Sequence, residues 1–135
     1  MGRFLLFLQI MNLNQITVPS LNVVKAIDFY KKLGLRLIVH THDKYARFEC
    51  PNGESTFSIH EVEALPKGSG VIVYFEVENV AETVSELQEK GIGFEMMPTN
   101  QSWLWMEAKL QDPDGNRIIV YHAGEDRKNP PWRIN

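Results

Sequence analysis

Two stretches of the chain repeat one pattern of apolar and polar positions. Residues 13–18 alternate with period two, placing Gln15 and Thr17 on one face and Ile16 and Val18 on the other, which predicts a half-buried strand. Val23, Ile27, Tyr30 and Leu33 then fall on one helical face. Gly34 follows as the left-handed residue on which helices commonly end. Further along, residues 71–77 form an apolar run expected of a central strand. Residues 80–90 read as a second helix, and Gly91 closes it. Aligned on the two glycines, Ile27 meets Val84 and Tyr30 meets Leu87. A unit of strand, helix and three strands is therefore present twice.

The remaining strands are expected at 35–41, 45–50 and 55–61 in the first copy, and at 92–97, 103–110 and 117–122 in the second. Ser20 or Asn22 caps the first helix and Asn79 the second. Pro51-Asn52-Gly53 and Asp112-Pro113-Asp114-Gly115-Asn116 are turn signals, and Pro98-Thr99-Asn100-Gln101 reads as a loop. The chain thus divides into a first module over 11–62, a linker, a second module over 70–122, and a tail over 123–135. The tail carries Asn129-Pro130-Pro131-Trp132, which excludes a helix or central strand there, and Trp132 calls for burial on its own subunit or a partner's. Residues 1–10 are apolar with one positive charge, like a short signal peptide without a cleavage site. With Met11 as the natural start they read as an upstream extension, and Phe4, Leu5, Phe7 and Leu8 would need burial if ordered.

Composition narrows the class. A chain of 135 residues with 44% hydrophobic content suits one compact core shared by both modules. The net charge is −3 with no basic stripe, which argues against nucleic acid as a partner. No apolar run is long enough to span a bilayer. The single cysteine, Cys50, cannot form an internal disulfide and fits a reducing cytoplasm.

The repeated βαβββ unit, the helix end Phe29-Tyr30-Lys31-Lys32-Leu33-Gly34-Leu35, and Asp112-Pro113-Asp114-Gly115-Asn116-Arg117 before the last strand together resemble the vicinal oxygen chelate superfamily. That group contains glyoxalase I, bleomycin resistance proteins, extradiol dioxygenases and fosfomycin resistance proteins. The resemblance implies an α+β fold: two paired βαβββ modules forming an eight-stranded curved sheet around a cup. It also implies a homodimer. In metal-dependent members four inward positions, on the first and last strand of each module, hold a divalent ion. Carried onto this chain they fall on Gln15, on Ser58 or Phe57, on Ile72 and on Ile119. Isoleucine has no donor atom, so the family's site looks dismantled. A rearranged set of Gln15, His60 and Tyr121 is a poor one for a transition metal.

These residues suit another task. A cup floored by Ile72 and Ile119 and walled by Tyr74, Tyr121, Trp103 or Trp105, with Gln15, Ser58 and His60 as polar groups, has the make-up of a small-molecule pocket. The leading expectation is a binding protein for a small, partly apolar or aromatic molecule, without metal or other cofactor. The alternative is a metal-dependent lyase, isomerase or dioxygenase with a rearranged site. A third reading is a metal-independent enzyme using His60 or Tyr74 as acid or base. Each residue has a plainer reading: His60 as a structural histidine, Trp103 and Trp105 as core or interface, Cys50 as packing, and Glu49 and Glu107 as surface charges rather than a carboxylate pair.

Overall fold

A computed structural model describes residues 11–134. The suggested extension over residues 1–10 lies outside the described residues. The first module runs β1 (Gln15–Ser20), α1 (Val23–Leu33), β2 (Arg36–Thr41), β3 (Tyr45–Glu49) and β4 (Thr56–Glu61). The second runs β5 (Ile72–Glu76), α2 (Val80–Glu89), β6 (Met96–Asn100), β7 (Met106–Gln111) and β8 (Arg117–His122). This is the α+β pair of βαβββ modules that the repeat implied. The strands form two hydrogen-bonded sheets of four, ordered β1-β4-β3-β2 and β5-β8-β7-β6. β1 lies parallel to β4 and β5 parallel to β8, and the other pairings are antiparallel.

The helices start and stop for local reasons. The side chains of Asn22 and Asn79 accept from the backbone N–H of Lys25 and Glu82, satisfying a donor the first turn would otherwise leave open. Ser20 does not cap α1 directly; its Oγ accepts from Asn22 N at 3.0 Å. Gly34 takes φ 113°, which ends α1 and returns its N–H to Lys31 O and Tyr30 O.

One side of each sheet packs against the helices. Tyr30, Phe48, Ile59, Val84, Leu110, Ile118 and Val120 belong to a single core that runs through both modules. Burial of each large apolar side chain contributes about 1.5–3 kcal/mol. The modules are joined at this core by Phe57 and Phe75, whose rings lie 5.8 Å apart. Polar bonds reinforce the junction. Asn116 Nδ2 donates to Pro19 O at 2.9 Å, and Leu21 N donates to Asp114 Oδ1 at 2.8 Å.

Four elements depart from the sequence reading, the first being β5, expected to be central and found at the edge of its sheet. The sixth strand begins at Met96, not at 92: Ile92 is buried and Phe94 packs on the core as connectors before the ladder forms. Pro98 lies within this strand rather than in a loop. The pairing with β7 slips between Met96 and Thr99, and an edge strand tolerates a residue without an N–H at such a bulge. The seventh strand begins at Met106. Trp103 and Trp105 belong to the connection before it, where Leu104 N donates to Gln101 O and Gln101 N to Trp105 O. Leu104 takes φ 70° in that turn, a left-handed conformation unfavourable for leucine. The tail opens with a short 3₁₀ turn, Gly124–Arg127, placed ahead of the prolines that forbid a longer helix. Trp132 in that tail is exposed.

Candidate functional site

The faces turned away from the helices line the concave side. In the first module β1 contributes Gln15 and Thr17, β4 contributes Thr56, Ser58 and His60, and β3 contributes Tyr45 and Arg47. In the second, β5 contributes Ile72, Tyr74 and Glu76, β8 contributes Arg117, Ile119 and Tyr121, and β7 contributes Glu107. Gln15 pairs in register with Thr56, and Ile72 with Arg117. The repeat therefore sets Gln15 against Ile72 and Ser58 against Ile119. This fixes the fourth-strand register that the sequence left between Ser58 and Phe57: Phe57 points into the core.

The first half is polar and mutually bonded. Gln15 Nε2 donates to Ser58 Oγ at 2.7 Å and to Thr17 Oγ1 at 3.1 Å, and Thr56 donates to Gln15 Oε1. The Tyr45 hydroxyl and Ser58 Oγ share a bond of 2.8 Å, and Arg47 Nε donates to the Tyr45 oxygen at 2.9 Å. Burial acts to raise the Tyr45 phenol, but the bonds to Ser58 and Arg47 outweigh it and hold the pKa below its ordinary value. His60 stands exposed at the far end of β4 and makes no side-chain hydrogen bond among the described residues. It lies four residues beyond Thr56, about 13 Å along the strand from the row of Gln15.

The second half is aromatic. Trp105 stacks on Tyr121 with ring centres 4.8 Å apart, and Tyr74 meets both edge-on, at 5.9 Å from Trp105 and 5.3 Å from Tyr121. Ile72, Ile119 and Ala123 complete the cluster. Trp103 stands beside it and donates from Nε1 to Glu107 Oε2 at 2.9 Å. Glu107 is only 2% exposed, so it is not the surface charge its sequence suggested. Burial, then the Glu107 carboxylate, raises the Tyr74 phenol; burial, then Glu76, raises that of Tyr121. Glu76 Oε2 accepts from Ala123 N at 2.8 Å and Gly124 N at 2.9 Å, pinning the tail's 3₁₀ turn to the concave face. His122, exposed at the end of β8, bonds Val77 O through Nδ1 at 2.8 Å.

The halves meet in a cleft of about 300 Å³ whose wall includes Gln15, Thr56, Tyr74 and Glu76. A second concavity of about 470 Å³ lies over Gln15, Thr17, Tyr45 and Arg47. Sequence reasoning passed over Tyr45, Arg47 and Glu76. The alternation Tyr45-Ala46-Arg47-Phe48 held the signal for the first two.

The donor set does not fit a divalent ion. Ile72 and Ile119 supply no donor, while Gln15 and Ser58 satisfy each other. Gln15 and His60 stand off the sheet in parallel, too far apart along it to converge. Among the described residues no three His, Cys, Asp or Glu side chains lie close enough to share a metal. Likewise, no helix of the described residues is long and apolar enough to cross a membrane.

Known proteins match this arrangement. Bacillus subtilis (strain 168) uncharacterized protein YraH is 30% identical over 127 residues, covering 82% of this chain and 98% of its own. A glyoxalase/bleomycin resistance protein/dioxygenase structure from Nocardioides superposes with a TM-score of 0.75 at 16% identity, over 99% of this chain and 96% of that one. Lactoylglutathione lyase from Agrobacterium tumefaciens superposes with a TM-score of 0.70 at 16% identity, over 84% and 94%. At such identity the two structures speak for the fold alone. The sequence profile of the Glyoxalase/Bleomycin resistance protein/Dioxygenase superfamily matches residues 12–120, and the chain belongs to that superfamily.

Proposed function

We propose that the protein binds a small, partly aromatic molecule on its concave face, and does so without a metal. The observation that carries this reading is the pair Ile72 and Ile119, packed with Trp105 and Tyr121 where metal-dependent relatives need donors. The ligand body stacks on the exposed ring of Tyr74, and the Gln15 amide beside the cleft orients it. Ser58, His60, Trp103 and Tyr121 complete the proposed site. His60 serves as a polar rim contact rather than a base, because nothing among the described residues orients its ring. The single, half-buried Cys50 supports a cytoplasmic setting. Exposed Trp132 supports a homodimer.

Thermal unfolding of chelator-stripped protein tests the reading, first with divalent metals and then with small aromatic compounds. A ligand specific to the folded state, at about 100 times its Kd, adds about 2.7 kcal/mol. The expected result is no rise with metal and a saturable rise with an aromatic compound that Tyr121→Ala removes. A saturable rise with one metal, abolished by Gln15→Ala, overturns the proposal in favour of a metal-dependent lyase, isomerase or dioxygenase.

A further inference from the structure

The two halves of the concave face differ in charge as well as polarity. The concavity over the first module is lined by Gln15, Thr17, Ile38, Tyr45, Arg47 and Thr56. Among the described residues Arg47 is the only charged one in that lining. Among the described residues its guanidinium forms no ion pair, although Arg36, one strand away, is matched to Glu49 at 3.4 Å. Arg47 is held all the same. Its Nε donates to Tyr45 Oη, and Cζ lies 5.5 Å from the Tyr45 ring centre. The bond from Tyr45 to Ser58, which is completely buried, anchors that arrangement to the sheet. With Nε engaged, the two terminal nitrogens remain for a ligand. They form the planar fork that matches a carboxylate.

We infer that this half of the site takes the carboxylate of an aromatic acid whose ring system runs towards Tyr74. The inference rests on the binding face proposed above and names its ligand class. A monoanion matches one guanidinium, whereas a phosphate dianion would leave charge uncompensated in a lining with a single cation. The direction of the ligand follows from the walls: Gln15 and Thr56 border both this concavity and the cleft between the halves, and Tyr74 lies in the wall of that cleft. β3 lies two strands from β1, about 10 Å, which is the scale of two linked aromatic rings. The carboxylate in the wall of the cleft, Glu76, does not oppose this placement, because its Oε2 is turned to the N–H groups of Ala123 and Gly124.

Calorimetric titration with three matched probes tests the inference: biphenyl-4-carboxylate, biphenyl-4-carboxamide and 4-phenylbenzylammonium. The wild-type protein should bind the carboxylate about tenfold or more tighter than the carboxamide, the margin of a charge-assisted hydrogen bond. Arg47→Gln should erase that preference by weakening carboxylate binding far more than carboxamide binding. Arg47→Lys, which keeps charge but not the fork, should retain part of it. Thermal melting checks that each variant is folded, and the wild-type comparison needs no variant. Equal affinity for carboxylate and carboxamide, tighter binding of the ammonium probe, or a preference that survives Arg47→Gln overturns the inference while leaving an aromatic site in place. Binding of none of the three overturns both the inference and the reading beneath it.

Discussion

Tyr30 on α1 donates its hydroxyl proton to Asp112 Oδ2 at 2.6 Å, tying the helix of the first module to the last turn of the second. The Asp112 carboxylate is 5% exposed and also accepts from Asp114 N, Asn116 N and Asn116 Nδ2. Burial, then the Asp112 charge, pushes the Tyr30 phenol far above its ordinary value, so it remains a donor throughout the accessible pH range. In the repeat, Asp112-Pro113-Asp114-Gly115 corresponds to Cys50-Pro51-Asn52-Gly53, and Tyr30 corresponds to Leu87. Among the described residues that second junction has no such bond, and it holds a cavity of about 160 Å³ lined by Cys50, Asn52 and Leu87.

Tyr30→Phe should therefore destabilise the protein by about 1–3 kcal/mol, the cost of leaving a buried acceptor short of its donor. Chemical denaturation with an unchanged m-value would read this as stability alone. A loss below about 0.5 kcal/mol would show that Asn116 and water satisfy Asp112 without Tyr30.

Glu76 gives a pH dependence with a defined sign. Burial acts to raise its carboxyl, but the N–H groups of Ala123 and Gly124, with His122 and Arg127, outweigh burial and hold it below 4.5. Because the folded pKa is depressed, its contribution is present above the unfolded pKa. That contribution is lost as pH falls through the folded value. Acidification below pH 4.5 should loosen the 3₁₀ turn, and Trp105, whose Nε1 reaches Asp126 O at 3.4 Å, should report this in its fluorescence. Glu76→Gln should flatten that acid response; an unaltered response would assign it to other carboxylates.

Glu107 makes a contrasting case. Glu107→Ala strips the indole N–H of Trp103 of its acceptor and opens space beneath the aromatic cluster. The expected loss is about 1–3 kcal/mol, with weakened binding of aromatic compounds because the connection carrying Trp105 loosens. Unchanged affinity in a folded Glu107→Ala protein would separate that connection from ligand binding.

The register can be tested by restoring chemistry. Ile72→His combined with Ile119→Glu places donors at two positions of the concave face that carry none. This double variant should be less stable than wild type in chelator, because polar groups replace one buried and one partly buried apolar side chain. It should also gain a divalent-metal-dependent rise in melting temperature that wild type lacks. A destabilised variant without a metal response would mean that these positions do not converge with Gln15 and Ser58.

Much of the architecture was legible along the chain. The period-two and helical patterns marked both helices and six of the eight strands to within two residues at most boundaries, because each side chain there meets either core or solvent. The sixth and seventh strands were not readable in the same way. Ile92 and Phe94 are apolar because they pack on the core, not because they pair, and Trp103 and Trp105 are apolar because they cover the concave face from a turn. Hydrophobicity records burial and is silent on which partner produces it.

The sequence by itself determined the duplicated module, the helix ends at Gly34 and Gly91, and the absence of donors at Ile72 and Ile119, since these depend on residue identity and local conformation. The tertiary structure alone decided that Ser58 rather than Phe57 faces Gln15, that Glu107 is buried beneath Trp103, and that Arg47 stands without a carboxylate partner among the described residues. Those facts arise from strand register and from contacts between residues far apart in the chain. A one-residue slip would turn each side chain to the opposite face.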